Sequence, residues 1–278
     1  MPTPLPTHER QRFAQGHPVI TYFTLTYLVS WTGAFLLVAP KIWRGQPVPK
    51  LDGLLMFPVM LMGPSFVGII LTRIVDGKTG LRDLFRRMWK VQFPAVWFAA
   101  ILIPPACIFL VLLILKAFVS PVFAPNHFWI GASFGIAAGF FEEIGWMGFA
   151  FPKMNKGHNA LAMSILLGIL WGIWHVPVID YLGTSVPHGA YWLHYFLAFT
   201  AAMTAMRVLI AWTYSNTRSV LLTQLMHISL TGSLVVFSPT QATAGQEVFW
   251  YMAYAVALWV IVVVVVAIFG SRSLSRAA

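Results

Sequence analysis

The sequence predicts an all-α protein, a polytopic membrane helical bundle of about eight transmembrane helices. Composition is the first reason, since 59% of the 278 residues are hydrophobic and only 9% are charged. The mean hydropathy of +0.77 lies far above that of ordinary soluble domains. Apolar windows long enough to cross about 30 Å of hydrocarbon recur along the chain. Basic residues also alternate between the connections, as expected for a membrane protein with one orientation.

The transmembrane helices are predicted from windows of about 20 apolar residues, the length that spans a bilayer as a helix. Several windows contain glycine or proline, which membrane helices tolerate when neighbouring helices satisfy the freed backbone groups. The eight windows, in chain order, are 20–39, 54–74, 95–118, 128–151, 161–181, 192–214, 219–237 and 248–269.

Lysine and arginine divide the connections between these windows into two groups. Residues 73–90 hold six of them, whereas 119–127, 182–191 and 238–247 hold none. Because basic connections stay cytoplasmic, both termini are expected on the cytoplasmic side. Lys41, Arg44 and Lys50, in the first outer connection, depart from this pattern. The expected location is a bacterial inner membrane.

The connections are short and no internal repeat is apparent, so residues 20–270 are predicted to form one transmembrane domain. A polar tail at 1–19 precedes it and a basic tail at 271–278 follows. The first apolar segment is long and lacks a small-residue cleavage site, so it is interpreted as an uncleaved anchor. Residues 77–91 interleave basic and apolar side chains, which predicts an amphipathic helix on the anionic inner leaflet. That helix is interpreted as an anchor, with substrate recruitment as the alternative.

Charge and cysteine content exclude several classes of function. The net charge of +10 is spread over loops, so it indicates membrane topology and no nucleic-acid partner. The single cysteine, Cys107, lies in an apolar run, which excludes an internal disulfide and a cysteine zinc cage. The expected partners are the lipid bilayer and a protein or peptide substrate.

Two acids and two histidines fall inside the predicted helices and away from their ends: Glu142, Glu143, His175 and His227. An acid within a membrane is costly and is interpreted as functional. His188 and His194, near the outer side, are interpreted as solvated. The four intramembrane residues are therefore the candidate site.

Glu142 and Glu143 are adjacent, so on a helix their side chains point about 100° apart. One acid is expected to act while the other organises the site, and a buried carboxyl group is suited to be a general base. Counted along the helices, Glu142 and His227 lie about 10 Å and 12 Å from the cytoplasmic edge. His175 comes out at about 20 Å, a mismatch that the sequence leaves open.

Three short motifs occur in order on separate predicted helices. Residues 142–148 read Glu-Glu-Ile-Gly-Trp-Met-Gly, residues 171–177 read Trp-Gly-Ile-Trp-His-Val-Pro, and residues 227–231 read His-Ile-Ser-Leu-Thr. With them the chain resembles the CPBP intramembrane protease family, the Abi group that includes CAAX prenyl endopeptidases of the Rce1 type. The family motifs are Glu-Glu-x-x-x-Arg, Phe-x-x-x-His and His-x-x-x-Asn, and the resemblance covers residues 54–240.

The resemblance implies an eight-helix bundle with a conical cavity open to the cytosol. It implies that Glu142 activates water, that His175 holds and polarises this water, and that His227 with Thr231 stabilises the oxyanion. Glu143 is the organising acid. No cofactor is certain, because the family has been described both as metal-dependent and as a glutamate protease. If a divalent metal such as zinc is bound, Glu142, His175 and His227 are its expected ligands, although no His-Glu-x-x-His spacing is present.

The chain departs from the family motifs at three positions: Met147 in place of arginine, Thr231 in place of asparagine and Trp171 in place of phenylalanine. Without an arginine at 147, Glu143 needs another cationic partner. Arg207, inside the sixth predicted helix, is the candidate.

The leading hypothesis is an intramembrane endopeptidase that hydrolyses a peptide bond near the cytoplasmic face. Its substrate is a lipidated protein, prenylated in the CAAX case, or a small peptide such as a bacteriocin precursor. A non-catalytic immunity or scaffold protein of the same fold is the first alternative. A proton-coupled transporter is the second, since intramembrane glutamate and histidine also relay protons. Two buried histidines could also simply cross-link helices.

Overall fold

The structure is a computed structural model, and it describes residues 13–181 and 187–275. Within those residues the chain is helical and contains no β-strand, so the all-α prediction is confirmed. Most of the predicted N-terminal tail and the end of the predicted C-terminal tail lie outside the described residues.

The described residues form eleven α-helices, numbered in chain order. The Ala95–Leu102 segment is a 3-10 helix that leads into α5, and Trp146–Ala150 is a π-helical turn between α6 and α7. The α-helices are α1 Pro18–Trp43, α2 Lys50–Met60, α3 Met62–Val75, α4 Gly77–Met88, α5 Ile103–Phe118, α6 Ala132–Gly145, α7 Phe151–Met154, α8 Ala160–Trp174, α9 Trp192–Thr217, α10 Val220–Phe237 and α11 Ala244–Phe269.

Six helical segments in the described part of the chain are long and apolar enough to cross a membrane. They are α1, α2 with α3, the 3-10 helix with α5, α9, α10 and α11. These match six of the eight predicted windows, so the count of about eight is approximate. The window 128–151 is divided between α6 and the π-helical turn. The window 161–181 yields a shorter helix, because α8 ends at Trp174, three residues before Pro177, which cannot continue a helix.

Close helix crossings depend on glycine at two positions. A Cβ atom on Gly139 of α6 would lie 2.4 Å from the backbone nitrogen of Ile228 in α10. A Cβ atom on Gly168 of α8 would lie 2.6 Å from the Cα atom of Thr204 in α9. Both contacts are far below van der Waals distance, so only glycine permits these approaches. The two crossings bring α6 against α10 and α8 against α9.

The two ends of the bundle differ in charge. Helix α4 forms where the amphipathic helix is predicted, with Leu84 and Met88 buried and Trp89, directly after it, 68% exposed. Its basic residues lie at the same end of the bundle as the C-terminal end of α9. Phe199 and Tyr214, both in α9, are about 22 Å apart along the axis of this helix. They therefore lie toward opposite ends of the bundle.

Candidate active site

Both adjacent glutamates lie at the end of α6, immediately before the π-helical turn Trp146–Ala150. Each has 0% of its side chain surface exposed. Single π-helical turns inside α-helices are frequent at functional sites. The glutamates point to different partners, as the angle between neighbouring helical residues requires.

Glu143 is held by an arginine and a histidine. Its two carboxylate oxygens accept hydrogen bonds from Arg207 Nη1 at 2.8 Å and 3.0 Å. His227 Nδ1 lies 2.7 Å from Oε1 of the same carboxylate. The guanidinium of Arg207 also lies over the ring of Trp171, with Cζ 4.1 Å from the ring centroid. The hypothesis that Arg207 replaces the arginine missing at position 147 is therefore confirmed by the contacts.

Glu142 is held on one side only. Its Oε2 atom accepts hydrogen bonds from the indole nitrogens of Trp146, at 3.0 Å, and Trp171, at 2.7 Å. Its Oε1 atom is buried and has no hydrogen-bond partner among the described residues. Arg207 Nε and Nη2 are likewise buried and have no hydrogen-bond partner among the described residues. In proteins, ordered water molecules commonly hydrogen-bond to buried donors and acceptors of this kind.

His175 follows the last residue of α8 and is 6% exposed. Its Nδ1 atom lies 2.8 Å from the carbonyl oxygen of Trp171. Since a carbonyl only accepts, Nδ1 carries the proton and Nε2 carries the lone pair of the neutral ring. The imidazole is held edge to face by Trp174 and Phe199, with centroids 4.9 Å and 5.2 Å away. Its orientation is thus determined by both packing and a hydrogen bond.

A small cavity of about 60 Å³ lies beside His175 and Thr231, large enough for a few water molecules. Its other walls are mostly aromatic and aliphatic. The lining residues are Phe57, Phe134, Trp171, His175, Phe199, Met203, Thr231, Leu234, Val235 and Tyr251. Most of them come from the ends of helices that lie opposite the basic end, so the cavity is in that half of the bundle.

The structure brings the predicted site residues into two groups that share Trp171. One group contains Glu142, Glu143 and His227, whereas His175 and Thr231 line the cavity. Trp171 donates its indole hydrogen to Glu142 and accepts from His175 at its carbonyl. Trp171 thus links His175 to Glu142 through two hydrogen bonds, and the difference in depth between these two residues stays a prediction.

Sequence reasoning missed the two tryptophans that hold Glu142. A usable signal was present, because Trp146 lies four residues after Glu142 and therefore on the same helix face. For Trp171 the sequence offered only its position four residues before His175. That Trp171 would reach Glu142 on α6 depended on the packing of the whole bundle.

His188 corrects another interpretation, since it is only 1% exposed and is not solvated. Its Nδ1 atom lies 2.7 Å from Asp180 Oδ1. Its Nε2 atom lies 2.9 Å from Glu247 Oε2, within ion-pair distance but outside hydrogen-bond geometry. Burial lowers the pKa of His188, but the two carboxylates outweigh it and leave the pKa raised. The ring stacks on Tyr195 at 3.6 Å, and Tyr195 contacts Tyr251, which lines the cavity.

No group of three or more His, Cys, Asp or Glu side chains in residues 13–181 and 187–275 is arranged to hold a metal ion. Nδ1 of His227 contacts Glu143, and one oxygen of Glu142 is taken by two indoles. The side chains as placed therefore do not form the ligand set Glu142, His175 and His227.

Comparison with known proteins bears on the segment that holds Glu142, Glu143, His175, His227 and Thr231. Residues 124–233 match the family model described as type II CAAX prenyl endopeptidase Rce1-like. The chain is also 26% identical over 263 residues to CAAX prenyl protease 2 of Methanococcus maripaludis, an alignment that covers 86% of this chain and 92% of that relative. The chain is thus similar to Rce1-like type II CAAX prenyl endopeptidases over residues 124–233, and to one CAAX prenyl protease over most of its length.

Proposed function

We propose that this protein is an intramembrane CAAX-type endopeptidase in which Glu142 activates a water molecule for attack on a peptide bond. The similarity to the Rce1-like family model and to a CAAX prenyl protease supports a hydrolase of this class. The observation that carries the mechanism is the state of Glu142. One carboxylate oxygen is fixed by two indoles, while the other is buried and unpaired among the described residues.

In this mechanism the unpaired oxygen of Glu142 takes a proton from water as the water oxygen attacks the carbonyl carbon. His175 holds the water, because its Nε2 lone pair accepts a hydrogen bond while Nδ1 is bound to the Trp171 carbonyl. The carbonyl oxygen becomes an oxyanion. When the carbon–nitrogen bond breaks, Glu142 returns the proton to the leaving amine.

The oxyanion is stabilised by His227 and Thr231. Glu143 fixes Nδ1 of His227, so in the protonated ring the opposite nitrogen, Nε2, donates toward the site. Thr231 adds its hydroxyl from the cavity wall. Donors that are already oriented in a water-poor site cost little reorganisation when charge develops. Arg207 keeps Glu143 ionised by direct pairing, which preserves this orientation.

The substrate in this proposal is a protein or peptide in the bilayer, with a prenylated protein as the first choice because the relative is named a CAAX prenyl protease. Cleavage near the cytoplasmic face is part of the proposal. Gly148, which lines the cleft at the basic end, lies about 9 Å from Glu142 along the helix axis. The cavity at His175 lies toward the other end of the bundle.

The test uses the full-length protein reconstituted in liposomes and a fluorogenic prenylated peptide. Glu142→Gln is expected to lower kcat about 10²- to 10⁴-fold, the usual contribution of a general base. Asp52→Asn is the matched carboxyl-to-amide control, since Asp52 pairs with Lys41 outside the site. Unchanged cleavage by a folded Glu142→Gln variant would refute the proposed role.

Zinc held by Glu142, His175 and His227 remains a separate proposal with its own test. The test measures cleavage after a chelator is added and again after zinc is restored. Loss and recovery of cleavage would support a bound zinc ion, and constant cleavage would support catalysis by the side chains without a metal. The placement of both termini in the cytoplasm of a bacterial inner membrane is likewise proposed from the charge pattern. Reporter fusions at each terminus test it.

One observation favours a second candidate, a non-catalytic member of the same fold. Glu142 is fully buried, and the cavity reaches His175 and Thr231 but is not lined by Glu142. A cellular phenotype that survives in both Glu142→Gln and His175→Ala would support this scaffold role over proteolysis.

A further inference from the structure

A cleft of about 960 Å³ lies at the basic end of the bundle, apart from the residues of the candidate active site. Helix α4, the turn before it, the segment around α7 and the end of α9 build its walls. The lining residues are Thr72, Asp76, Thr79, Gly80, Asp83, Arg86, Arg87, Lys90, Gln92, Gly148, Phe149, Pro152, Lys153, Lys156, Tyr214 and Arg218.

The cleft has an excess of positive charge. Six lysine or arginine side chains line it against two aspartates. Asp83 is shared by Arg86, at 2.5 Å, and Arg87, at 2.8 Å, and Asp76 pairs with Lys153 at 2.5 Å. The arginines explain why the pKa of Asp83 is lowered even though its partial burial acts to raise it. Both carboxylates are thus already engaged.

Two cations in the cleft, Lys156 and Arg218, are exposed and have no carboxylate within ion-pair distance in residues 13–181 and 187–275. Arg218 lies in the left-handed region at φ 53, where the chain leaves α9. Its guanidinium is 5.8 Å from the ring of Tyr214. These two side chains are available to an anion that enters the cleft.

The cleft lies at the boundary between polar and apolar surface. Phe85 and Trp89 are 43% and 68% exposed beside it on the amphipathic α4 region. Aromatic side chains of this kind sit at the level of lipid headgroups. An occupant of this cleft can therefore place acyl chains beside α4 while its charged group meets the cations.

We propose that this cleft binds the phosphodiester headgroup of an anionic membrane lipid, with Lys156, Arg218 and Arg86 as its cationic contacts. Phosphate suits the site because it accepts several charge-assisted hydrogen bonds from lysine and arginine. The membrane leaflet on this side supplies such headgroups at high local concentration. The proposal concerns binding and does not depend on proteolysis.

A lipid bound here would touch the wall that supports the active site. Arg87 donates from Nη1 to the hydroxyl of Tyr214 at 2.8 Å and from Nη2 to the Gly148 carbonyl at 3.0 Å. Gly148 belongs to the π-helical turn whose first residue, Trp146, holds Glu142. The lipid site and the candidate active site therefore share this turn.

Binding is measured on the full-length protein in neutral maltoside micelles by native mass spectrometry. The probes are dioleoyl-phosphatidylglycerol, dioleoyl-phosphatidylcholine and inorganic phosphate. Phosphatidylglycerol is expected to bind more tightly than the other two. The double variant Lys156→Gln/Arg218→Gln is expected to weaken that binding at least about tenfold, because it removes two donors of charge-assisted hydrogen bonds to the phosphate.

The matched control is the double variant Lys78→Gln/Arg82→Gln. It removes the same charge from exposed positions of α4 that do not line the cleft. Equal weakening in both double variants would overturn the proposal, because it would indicate general attraction to the basic surface. Equal affinity for phosphatidylcholine would also overturn it. Inorganic phosphate that competes at the affinity of the lipid would assign the cleft to a soluble anion. Thermal melting of each variant shows that it is folded.

Discussion

Replacement of Arg207 by methionine is the sharpest test of the buried charge cluster. The guanidinium is 0% exposed, makes two hydrogen bonds to Glu143 and lies 4.1 Å over the Trp171 ring. Arg207→Met removes all of these contacts and leaves Glu143 with only His227. The loss of one partner of a buried ion pair costs about 3–5 kcal/mol, so the free energy of unfolding should fall by about that amount.

A second substitution separates charge from packing. Glu143→Gln in the Arg207→Met background removes the stranded charge, so it should restore more than about 1 kcal/mol of the lost stability. The free energy of unfolding is measured by denaturant titration of the protein in micelles, and the coupling follows from the double-mutant cycle. A cost below about 1 kcal/mol for Arg207→Met, or no recovery in the double variant, would refute the reasoning.

Three further predictions follow from the site and its supports. Trp171→Phe keeps the ring but removes the indole donor 2.7 Å from Glu142, so kcat should fall about tenfold, as one charge-assisted hydrogen bond implies; an unchanged kcat contradicts this. Because the folded pKa of His188 is raised, its contribution to stability is fully present below the unfolded pKa and is lost as pH rises through the folded pKa. Melting temperature against pH should show this decline in the parent and a flatter profile in His188→Gln; equal profiles argue against it. Gly139→Ala places a Cβ atom 2.4 Å from a backbone nitrogen, so it should lower the free energy of unfolding by at least about 1–3 kcal/mol. The control Gly16→Ala, with nothing within 4 Å of the added Cβ atom, should be neutral. Equal effects of the two substitutions would show that α6 and α10 can move apart without loss of stability.

Much of the fold was predictable because hydropathy is a property of consecutive residues. Long apolar windows identified six segments able to cross a membrane. The other two predicted windows did not form single long helices, and each contains a local feature, the proline after His175 or the π-helical turn after Gly145. The proline was visible in the sequence, but how far it shortens a helix depends on packing. The scarcity of charges also made Arg207 the natural partner for Glu143.

Composition and residue order were sufficient to predict the membrane class, the short set of intramembrane acids and histidines, and the need of Glu143 for a cation. These follow from the cost of placing charge in hydrocarbon, which applies wherever the helices lie. By contrast, helix packing was needed to show that Trp171 joins Glu142 to His175 and that His188 is buried between two carboxylates. Those contacts link residues far apart in the chain. They exist because close crossings such as that at Gly139 set how the helices approach one another.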